Sequence, residues 1–304
     1  MKKLLFTLVI MLSLAACSTD DTEQPAPQKV SVEMTVIPDT RAMVESRAAD
    51  ESAIEDLNFY VVDKKGNTAV HLYQSSPMIR FECVPGDYRV RIVANIGRDL
   101  GKEADLENLT IDYENDYQTL PMACDEERSI VAGASSIELK RCVAKVSYEI
   151  AAVPEDIELK SVELVSVPAK YAPFVADAAP SENPSDYMTT AQTLLTGREA
   201  SGTYYLFPNP QGTNPAITDQ KDKNPENAPE NATYFLIRAS KGGELLTYIV
   251  YLGANNVSDF NVLANRHYRM KISLMGGNET DTRVIAYTLK VYDDYERYKY
   301  GDYC

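Results

Sequence analysis

Apolar and polar residues alternate along much of the chain, and this two-residue period is typical of β-strands with one buried face. The first such segment is VSVEMTVI, residues 30–37. Four apolar residues share one face of this predicted strand: Val30, Val32, Met34 and Val36. Polar residues occupy the opposite face, so the pattern predicts a half-buried strand close to the N-terminus.

Further strand-like segments follow along the chain. Three further strands are predicted in the first half: LNFYVVD (57–63), MIRFECV (78–84) and DYRVRIVAN (87–95). In the second half, residues 233–253 predict a hairpin that turns at Gly242 and Gly243, because two glycines accept the backbone conformations of a tight turn. The last alternating segment, 284–292, places four apolar residues on one face: Ile285, Tyr287, Leu289 and Val291.

These elements predict a fold that is mainly all-β. Residues 135–150, SSIELKRCVAKVSYEI, predict one long strand or a pair of strands, and the composition changes just after them, at AAVPED (151–156). The best helix candidate is GRDLGKEADLENLT (97–110). Many short strands with few helices indicate two tandem β-sandwich-like domains with one or two short helices, an N-terminal domain over 30–150 and a C-terminal domain over 151–304.

The N-terminus has the three parts of an export signal. The basic residues of MKK precede an apolar stretch at 4–16, which is too short to span a bilayer because spanning needs roughly 20 residues. The ending LAAC resembles a bacterial lipobox, so residues 1–17 are interpreted as a lipoprotein signal with Cys17 as the lipidated residue. An ordinary secretory signal with a chance cysteine is the alternative. The polar, proline-containing residues 18–29 form a tether that begins with STDD, which is similar to the acidic export tag of Bacteroidota surface lipoproteins.

Charge and cysteine content narrow the partners. The net charge is −15 and the pI is about 4.7, so the chain lacks the excess of basic residues that nucleic acid and anionic lipid require. Any membrane attachment would come from the lipid. Four cysteines remain beyond Cys17: Cys83, Cys124, Cys142 and Cys304. In an oxidising compartment they allow two disulfides with undetermined pairing, or buried thiols. There is no CxxC spacing, so no metal site is expected. No cofactor is expected either.

The sequence lacks the common patterns of catalysis. It contains two histidines, His71 and His267, each alone in a strand-like segment. It has no GxSxG elbow, no HExxH, no P-loop and no dinucleotide fingerprint. The prediction is therefore that the protein is not an enzyme.

The order of several segments resembles that of the Bacteroidota fimbrillins, the subunits of type V pili. The similar segments are the lipobox, the first strand, an arginine-containing loop, ESAIEDLNFYVVDKKGN, YRVRIVANIGRDLG, LKRCVAKVSYEI, YLFPNPQG and YLGANNVSDFNVLANRHYRMKISLMG. Together they cover most of residues 30–284. The turn YLFPNPQG departs from the family's pattern, because Asn209 stands in place of Glu and Pro210 in place of Asn.

The resemblance implies a role in assembly. Fimbrillins are exported as outer-membrane lipoproteins and trimmed at an arginine by a surface protease, which removes the N-terminal strand and opens an apolar groove. The C-terminal strand of a neighbouring subunit then fills the groove. In this chain the resemblance implies Arg41 or Arg47 as the cut site and 284–292 as the donor strand. The expected partners are other fimbrial subunits and a host or bacterial surface receptor, and the expected location is the fimbrium.

Two alternatives stay open. If neither arginine is cut, Cys17 keeps its lipid, and the same fold serves as a membrane-held anchor or tip subunit. The second alternative is a lipid-anchored surface binding protein that never polymerises. The C-terminal region is shorter than in the family's main stalk subunits, and the terminal Cys304 is unusual for them.

Overall fold

A computed structural model describes residues 27–39, 51–175 and 179–277, together with the backbone of residues 285–293. Cys17, Arg41, Arg47 and Cys304 lie outside the described residues, as do the signal segment and most of the tether. No helix in the described part of the chain is long and apolar enough to cross a membrane.

The first half of the chain forms eight strands: β1 (Val30–Pro38), β2 (Leu57–Val62), β3 (Thr68–Gln74), β4 (Met78–Cys83), β5 (Gly86–Ala94), β6 (Ile111–Asp112), β7 (Met122–Ile130) and β8 (Gly133–Arg141). All except β6 belong to one sheet with the order β3-β2-β5-β7-β8-β1-β4. Strands β7 and β8 pair only at their ends, where Met122 meets Arg141 and Ala123 meets Lys140. The sheet can therefore fold over on itself, and residues of β1, β4 and β8 share a core with residues of β2, β5 and β7.

The second half of the chain forms the remaining described strands: β9 (Ala144–Ala152), β10 (Ile157–Val165), β11 (Val167–Pro168), β12 (Lys170–Tyr171), β13 (Tyr187–Met188), β14 (Thr193–Leu194), β15 (Glu199–Leu206), β16 (Asn209–Thr213), β17 (Tyr234–Lys241), β18 (Glu244–Tyr251), β19 (Asp259–Val262), β20 (Arg266–Leu274) and β21 (Ile285–Asp293). Two four-stranded sheets, β14-β10-β17-β18 and β15-β9-β20-β21, enclose the larger core. Tyr148 of β9 packs against Phe235 of β17 with ring centroids 5.4 Å apart. The predicted all-β fold is confirmed.

Three short strand pairs lie outside these larger sheets in the described part of the chain. Strands β11 and β13 pair with each other, as do β16 and β19, while β12 pairs with β6 from the first half of the chain. Two 3-10 helices are described, Pro184–Asp186 and Gln220–Asp222.

The chain passes from the first sheet to the second between β8 and β9, at Cys142 and Val143. Residues 135–150 are thus a pair of strands in different sheets rather than one long strand. The sequence placed the domain boundary at 150/151, but β9 pairs with β15 and β20 and its apolar residues lie in the second core. The alternation changes phase at the junction, because the buried apolar residues lie on odd positions before it (Ile137, Leu139) and on even positions after it (Ala144, Val146).

The helix predicted over 97–110 is wrong, because these residues form turns. Gly97 and Gly101 have positive φ values of 69° and 77°, which break a right-handed helix. The side chain of Asn58 on β2 holds the turn from both directions: its amide donates to the Arg98 carbonyl and its oxygen accepts from the Leu100 backbone N–H, both at 2.9 Å. By contrast, the predicted hairpin is confirmed as β17 and β18, with Lys241 paired to Glu244.

Candidate functional site

The first strand, β1, lies inside its sheet rather than at an edge. It pairs in parallel with β8 on one side and antiparallel with β4 on the other, so Met34 has Ser135 and Ile79 as its lateral neighbours. Both ladders depend on β1, because β8 and β4 do not pair with each other. If β1 left the sheet, the backbone N–H and C=O groups of β8 and β4 that face it would lose their partners.

The inward face of β1 is part of the core. Val32, Met34 and Val36 are 5%, 0% and 2% exposed, and Val30 is half-buried against the same cluster. On the outward face, Glu33 accepts from the Arg80 side chain at 2.8 Å in solvent. The buried side chains hold β1 in place, since exposed ion pairs of this kind contribute little.

The end of β1 is held by a buried polar cluster. Asp39 is 3% exposed and donates its backbone N–H to the Leu139 carbonyl at 2.8 Å. Its own carbonyl accepts from Arg141 Nη1 at 2.9 Å, and its carboxylate oxygen Oδ2 accepts from Asn265 Nδ2 at 2.8 Å. Arg141 and Asn265 are themselves 2% and 5% exposed. Asp39 is therefore bound to residues of β8 and of the turn before β20.

Glu51 approaches the same arginine from the other end of the arginine-containing segment. Its backbone carbonyl accepts from Arg141 Nε at 3.0 Å. Its carboxylate accepts from Lys145 Nζ at 2.6 Å and from the Tyr205 hydroxyl at 2.8 Å. We call Asp39, Glu51, Arg141 and Asn265 together the clasp. Arg41 and Arg47 fall between Asp39 and Glu51 in the sequence, so the clasp binds both ends of the segment that carries them.

The backbone conformation of Asn265 and its hydrogen bonds to neighbouring residues orient the side chains of the clasp. Asn265 has a φ of 56°, a left-handed conformation that asparagine tolerates better than most residues. Its backbone N–H donates to the Val143 carbonyl at 2.9 Å, and its side-chain oxygen accepts from the Arg141 backbone N–H at 3.3 Å. A guanidinium is always charged, and burying it requires acceptors close by. Sequence analysis missed this cluster; its only signals were an arginine in the basic strand LKRC and an acid near the start of the arginine-containing loop.

The predicted donor segment forms strand β21 at the edge of the second sheet. Its backbone pairs antiparallel with β20, from Leu274 with Ile285 to Arg266 with Asp293. The donor positions Ile285, Tyr287, Leu289 and Val291 all lie on this strand. Among the described strands β21 is the last in its sheet, so its removal would expose a single described ladder, whereas the removal of β1 would expose two.

The described cysteines are free thiols. Cys83 and Cys142 are buried and Cys124 is half-buried. The disulfides that the sequence allowed among these three are therefore not formed in the structure, and the buried-thiol alternative describes Cys83 and Cys142. Burial raises the pKa of the Cys124 thiol to about 12 and that of Cys142 still further, so both stay protonated and unreactive at neutral pH.

Each of the two histidines contacts neighbouring side chains of the fold. His71 Nε2 lies 3.3 Å from a carboxylate oxygen of Asp99, and its ring packs on Tyr60 with centroids 4.6 Å apart. His267 Nε2 is 2.8 Å from the Ser147 hydroxyl. Burial, with help from Lys145 and Arg269, lowers the pKa of His267 to about 3 and keeps it neutral. Within the described ranges, no group of three or more His, Cys, Asp or Glu residues could hold a metal ion.

Comparison with known proteins agrees with this architecture. Residues 204–272 match a family described as "Domain of unknown function (DUF4906)". No curated protein matches the chain.

Solved structures of Bacteroidota fimbrial and cell adhesion proteins share the fold. The tip fimbrial protein Mfa3 from Porphyromonas gingivalis, with a C-terminal truncation, is 16% identical with a TM-score of 0.61 over 88% of this chain and 100% of that one. A putative cell adhesion protein from Bacteroides eggerthii is 14% identical with a TM-score of 0.59 over 88% and 96%. A fimbrilin from Porphyromonas gingivalis is 13% identical with a TM-score of 0.56 over 86% and 96%. The chain therefore has a fimbrillin-like fold, as the sequence predicted.

Proposed function

We propose that this protein is a structural subunit of a cell-surface fimbria that mediates adhesion and assembles by strand exchange. A surface protease cuts at Arg41 or Arg47, β1 leaves its sheet, and the C-terminal strand of a neighbouring subunit takes its place. The single observation that carries this proposal is the position of β1, an inner strand that directly precedes the arginine-containing segment.

The energetics of β1 supply a driving force for assembly. Three fully buried apolar side chains stabilise the fold by roughly 1.5–3 kcal/mol each, so the loss of β1 removes roughly 5–9 kcal/mol of burial. The unpaired groups of β8 and β4 add to this cost. A second strand with the same alternation restores both contributions, since added strands gain main-chain hydrogen bonds and fill alternate side-chain pockets.

The clasp supports a controlled release. Before cleavage, Asp39 and Glu51 hold both ends of the arginine-containing segment on Arg141. After a cut at either arginine, Asp39 belongs to the N-terminal fragment and Glu51 to the remaining chain. The fragment then keeps its contacts but no longer has a covalent link that returns it to the sheet.

The proposed function requires that the protein be exported to the cell surface. We propose that Cys17 carries the lipid that holds the precursor on the outer membrane, and that trimming frees the subunit for the fimbrium. The partners are then other subunits and a surface receptor. If the chain is not trimmed in the cell, the same fold remains membrane-held, which is the anchor or binding role.

The test begins with the full chain and an arginine-specific protease. We expect intact-mass analysis to show a new N-terminus at Ala42 or Ala48, followed by ladders on a denaturing gel run without boiling. The variants Arg41→Gln, Arg47→Gln and the double variant identify the cut site, and Arg80→Gln, an exposed arginine outside this segment, is the matched control. Deletion of residues 284–304 should abolish the ladders. Trimmed protein that has lost residues 30–39 and stays monomeric at every concentration contradicts the proposal.

A further inference from the structure

Assembly by strand exchange requires that the incoming strand stop in one register, because a one-residue slip turns every side chain to the opposite face. We call the groove between β8 and β4 that β1 occupies the seat of β1. We propose that Arg141 and Asn265 form a carboxylate-binding site at one end of this seat, and that Asp294 of a second copy is the acid they bind. This inference rests on the proposed function and names the residues that set the register of its strand.

The other hydrogen bonds of Arg141 and Asn265 do not depend on β1, so we expect both side chains to keep their positions when β1 leaves. With Asp39 removed, Asn265 still donates its backbone N–H to the Val143 carbonyl, and Arg141 still donates through Nε to the Glu51 carbonyl. Glu51 in turn is held by Lys145 and Tyr205. Both side chains thus stay aimed at the place that Asp39 occupied. That place adjoins a buried guanidinium, so an incoming carboxylate is favoured there over an apolar or basic group.

The spacing along β1 defines what fits. Val36 is its last buried apolar residue, and Asp39 follows three positions later. In the C-terminal segment, Val291 ends the alternating run, and Asp294 follows three positions later. The sequences VIPD and VYDD correspond at these four positions.

The whole strands correspond in the same alignment. Strand β1 and strand β21 are each nine residues long. Matching their first residues places four apolar residues of β21 on the four inward positions of β1, namely Ile285 on Val30, Tyr287 on Val32, Leu289 on Met34 and Val291 on Val36. The same alignment puts Asp294 on Asp39 and leaves Asp293 on Pro38.

The direction of insertion follows from the clasp. Strand β1 runs parallel to β8, and Arg141 is the last residue of β8. A carboxylate that follows the apolar run reaches Arg141 only if the incoming strand also runs parallel to β8. An antiparallel insertion would carry the acid to the opposite end of the seat, next to the start of β8.

The experiment uses protein that is expressed as the full chain and then trimmed by the protease. It compares the Asp294→Asn variant with the wild type and with Asp293→Asn. We expect Asp294→Asn to raise the concentration for half-maximal assembly about tenfold or more, because it removes a charge-assisted hydrogen bond in a buried site. Asp293→Asn should stay within about twofold of the wild type, and Asp294→Glu should fall between the two. Equal effects of the two asparagine variants, or no effect of Asp294→Asn, overturn the inference. The thermal midpoints of the untrimmed proteins should coincide.

A second measurement reads the register directly. Thr35 of β1 pairs with Ser136 of β8, and the alignment puts Lys290 in place of Thr35. In a Cys304→Ser background, the cysteine pair Ser136→Cys and Lys290→Cys should form an intermolecular disulfide after trimming, whereas Ser136→Cys with Thr288→Cys should not. The reverse result overturns the inference while leaving strand exchange intact. Failure of the wild type to assemble would instead remove the proposed function itself.

Discussion

Asn265 donates a hydrogen bond of 2.8 Å from its side-chain amide to the carboxylate of Asp39, although the two residues are 226 positions apart. The bond joins the end of the N-terminal strand to the turn before β20, and both side chains are almost fully buried. The N-terminal strand is thus attached to the second half of the chain as well as to its own sheet.

Asn265→Asp should destabilise the uncleaved protein. The substitution keeps the shape and the left-handed backbone, but it replaces the donor with an oxygen facing the Asp39 carboxylate. We expect a loss of about 1–3 kcal/mol in the free energy of unfolding, measured by urea denaturation at neutral pH, because a buried acceptor loses its donor. The matched control is Asn108→Asp, where the same amide donates to Asp105 at 2.7 Å on an exposed surface and the change should cost less than about 0.5 kcal/mol. Similar losses for both variants would show that burial of the Asp39 bond is unimportant.

Met34→Ala should weaken the seat of β1. Met34 is 0% exposed, so its truncation leaves a cavity and should lower the free energy of unfolding by about 2–5 kcal/mol. The control is Ser31→Ala on the same strand, an exposed position where the change should stay within about 0.5 kcal/mol. In addition, Met34→Ala should speed the release of the N-terminal fragment after cleavage, which mass spectrometry of the trimmed chain can follow with time. Unchanged release would mean that the inward face of β1 does not hold the fragment.

We expect Lys223 to make the free energy of unfolding depend on pH near neutrality. It is 4% exposed, donates to the Asn255 carbonyl at 2.7 Å and lies over the Phe260 ring at 5.1 Å. Burial lowers its pKa from 10.5 to about 7, with Asp259 opposing the shift. Above that pKa the unfolded chain still holds a proton that the folded chain has released, so the free energy of unfolding rises with pH, by up to about 1.4 kcal/mol per unit.

The measurement for Lys223 is chemical denaturation between pH 7 and 8.5. Thiols of the unfolded chain, with a pKa of about 8.5, begin to titrate in the same range, so the contribution of Lys223 is read from the difference between the wild type and variants that keep the same cysteines. The rise seen for the wild type should disappear in Lys223→Met, and it should persist in Lys221→Met, an exposed neighbour. Parallel pH profiles for the wild type and Lys223→Met would contradict this prediction.

Gly253→Ala should be poorly tolerated. Gly253 has a φ of 151°, and a Cβ atom there would overlap the backbone carbonyl of Asp259. The backbone has to shift, which should cost roughly 1–3 kcal/mol in unfolding free energy beyond the strain of the positive φ. Gly243→Ala is the matched control, since Gly243 also has a positive φ, of 93°, but a Cβ atom on it would meet no other atom within 4 Å. Thermal unfolding should therefore give a lower midpoint for Gly253→Ala than for Gly243→Ala, because only Gly253→Ala adds the overlap to the backbone strain. Equal midpoints would contradict a cost from the overlap.

The elements that depend on local pattern were predictable. The alternation of Val32, Met34 and Val36 identified β1 and its buried face, and the paired glycines identified the β17–β18 hairpin. Both features follow from a two-residue period or from turn geometry, which involve only neighbouring residues. The helix expected over 97–110 failed because Asn58, some forty residues away, bonds the backbone in a turn.

By itself, the sequence determined that the chain is rich in strands, which face of its first strand is apolar, and that two arginines follow that strand. Only the tertiary structure decided that β1 is an inner strand, that the chain changes sheets between Arg141 and Ala144, and that Asp39 and Glu51 both bind Arg141. The physical reason is that strand order and buried hydrogen bonds join residues distant in sequence. Alternation predicts that one face of a strand is buried, but which strands cover that face depends on the packing of the whole chain.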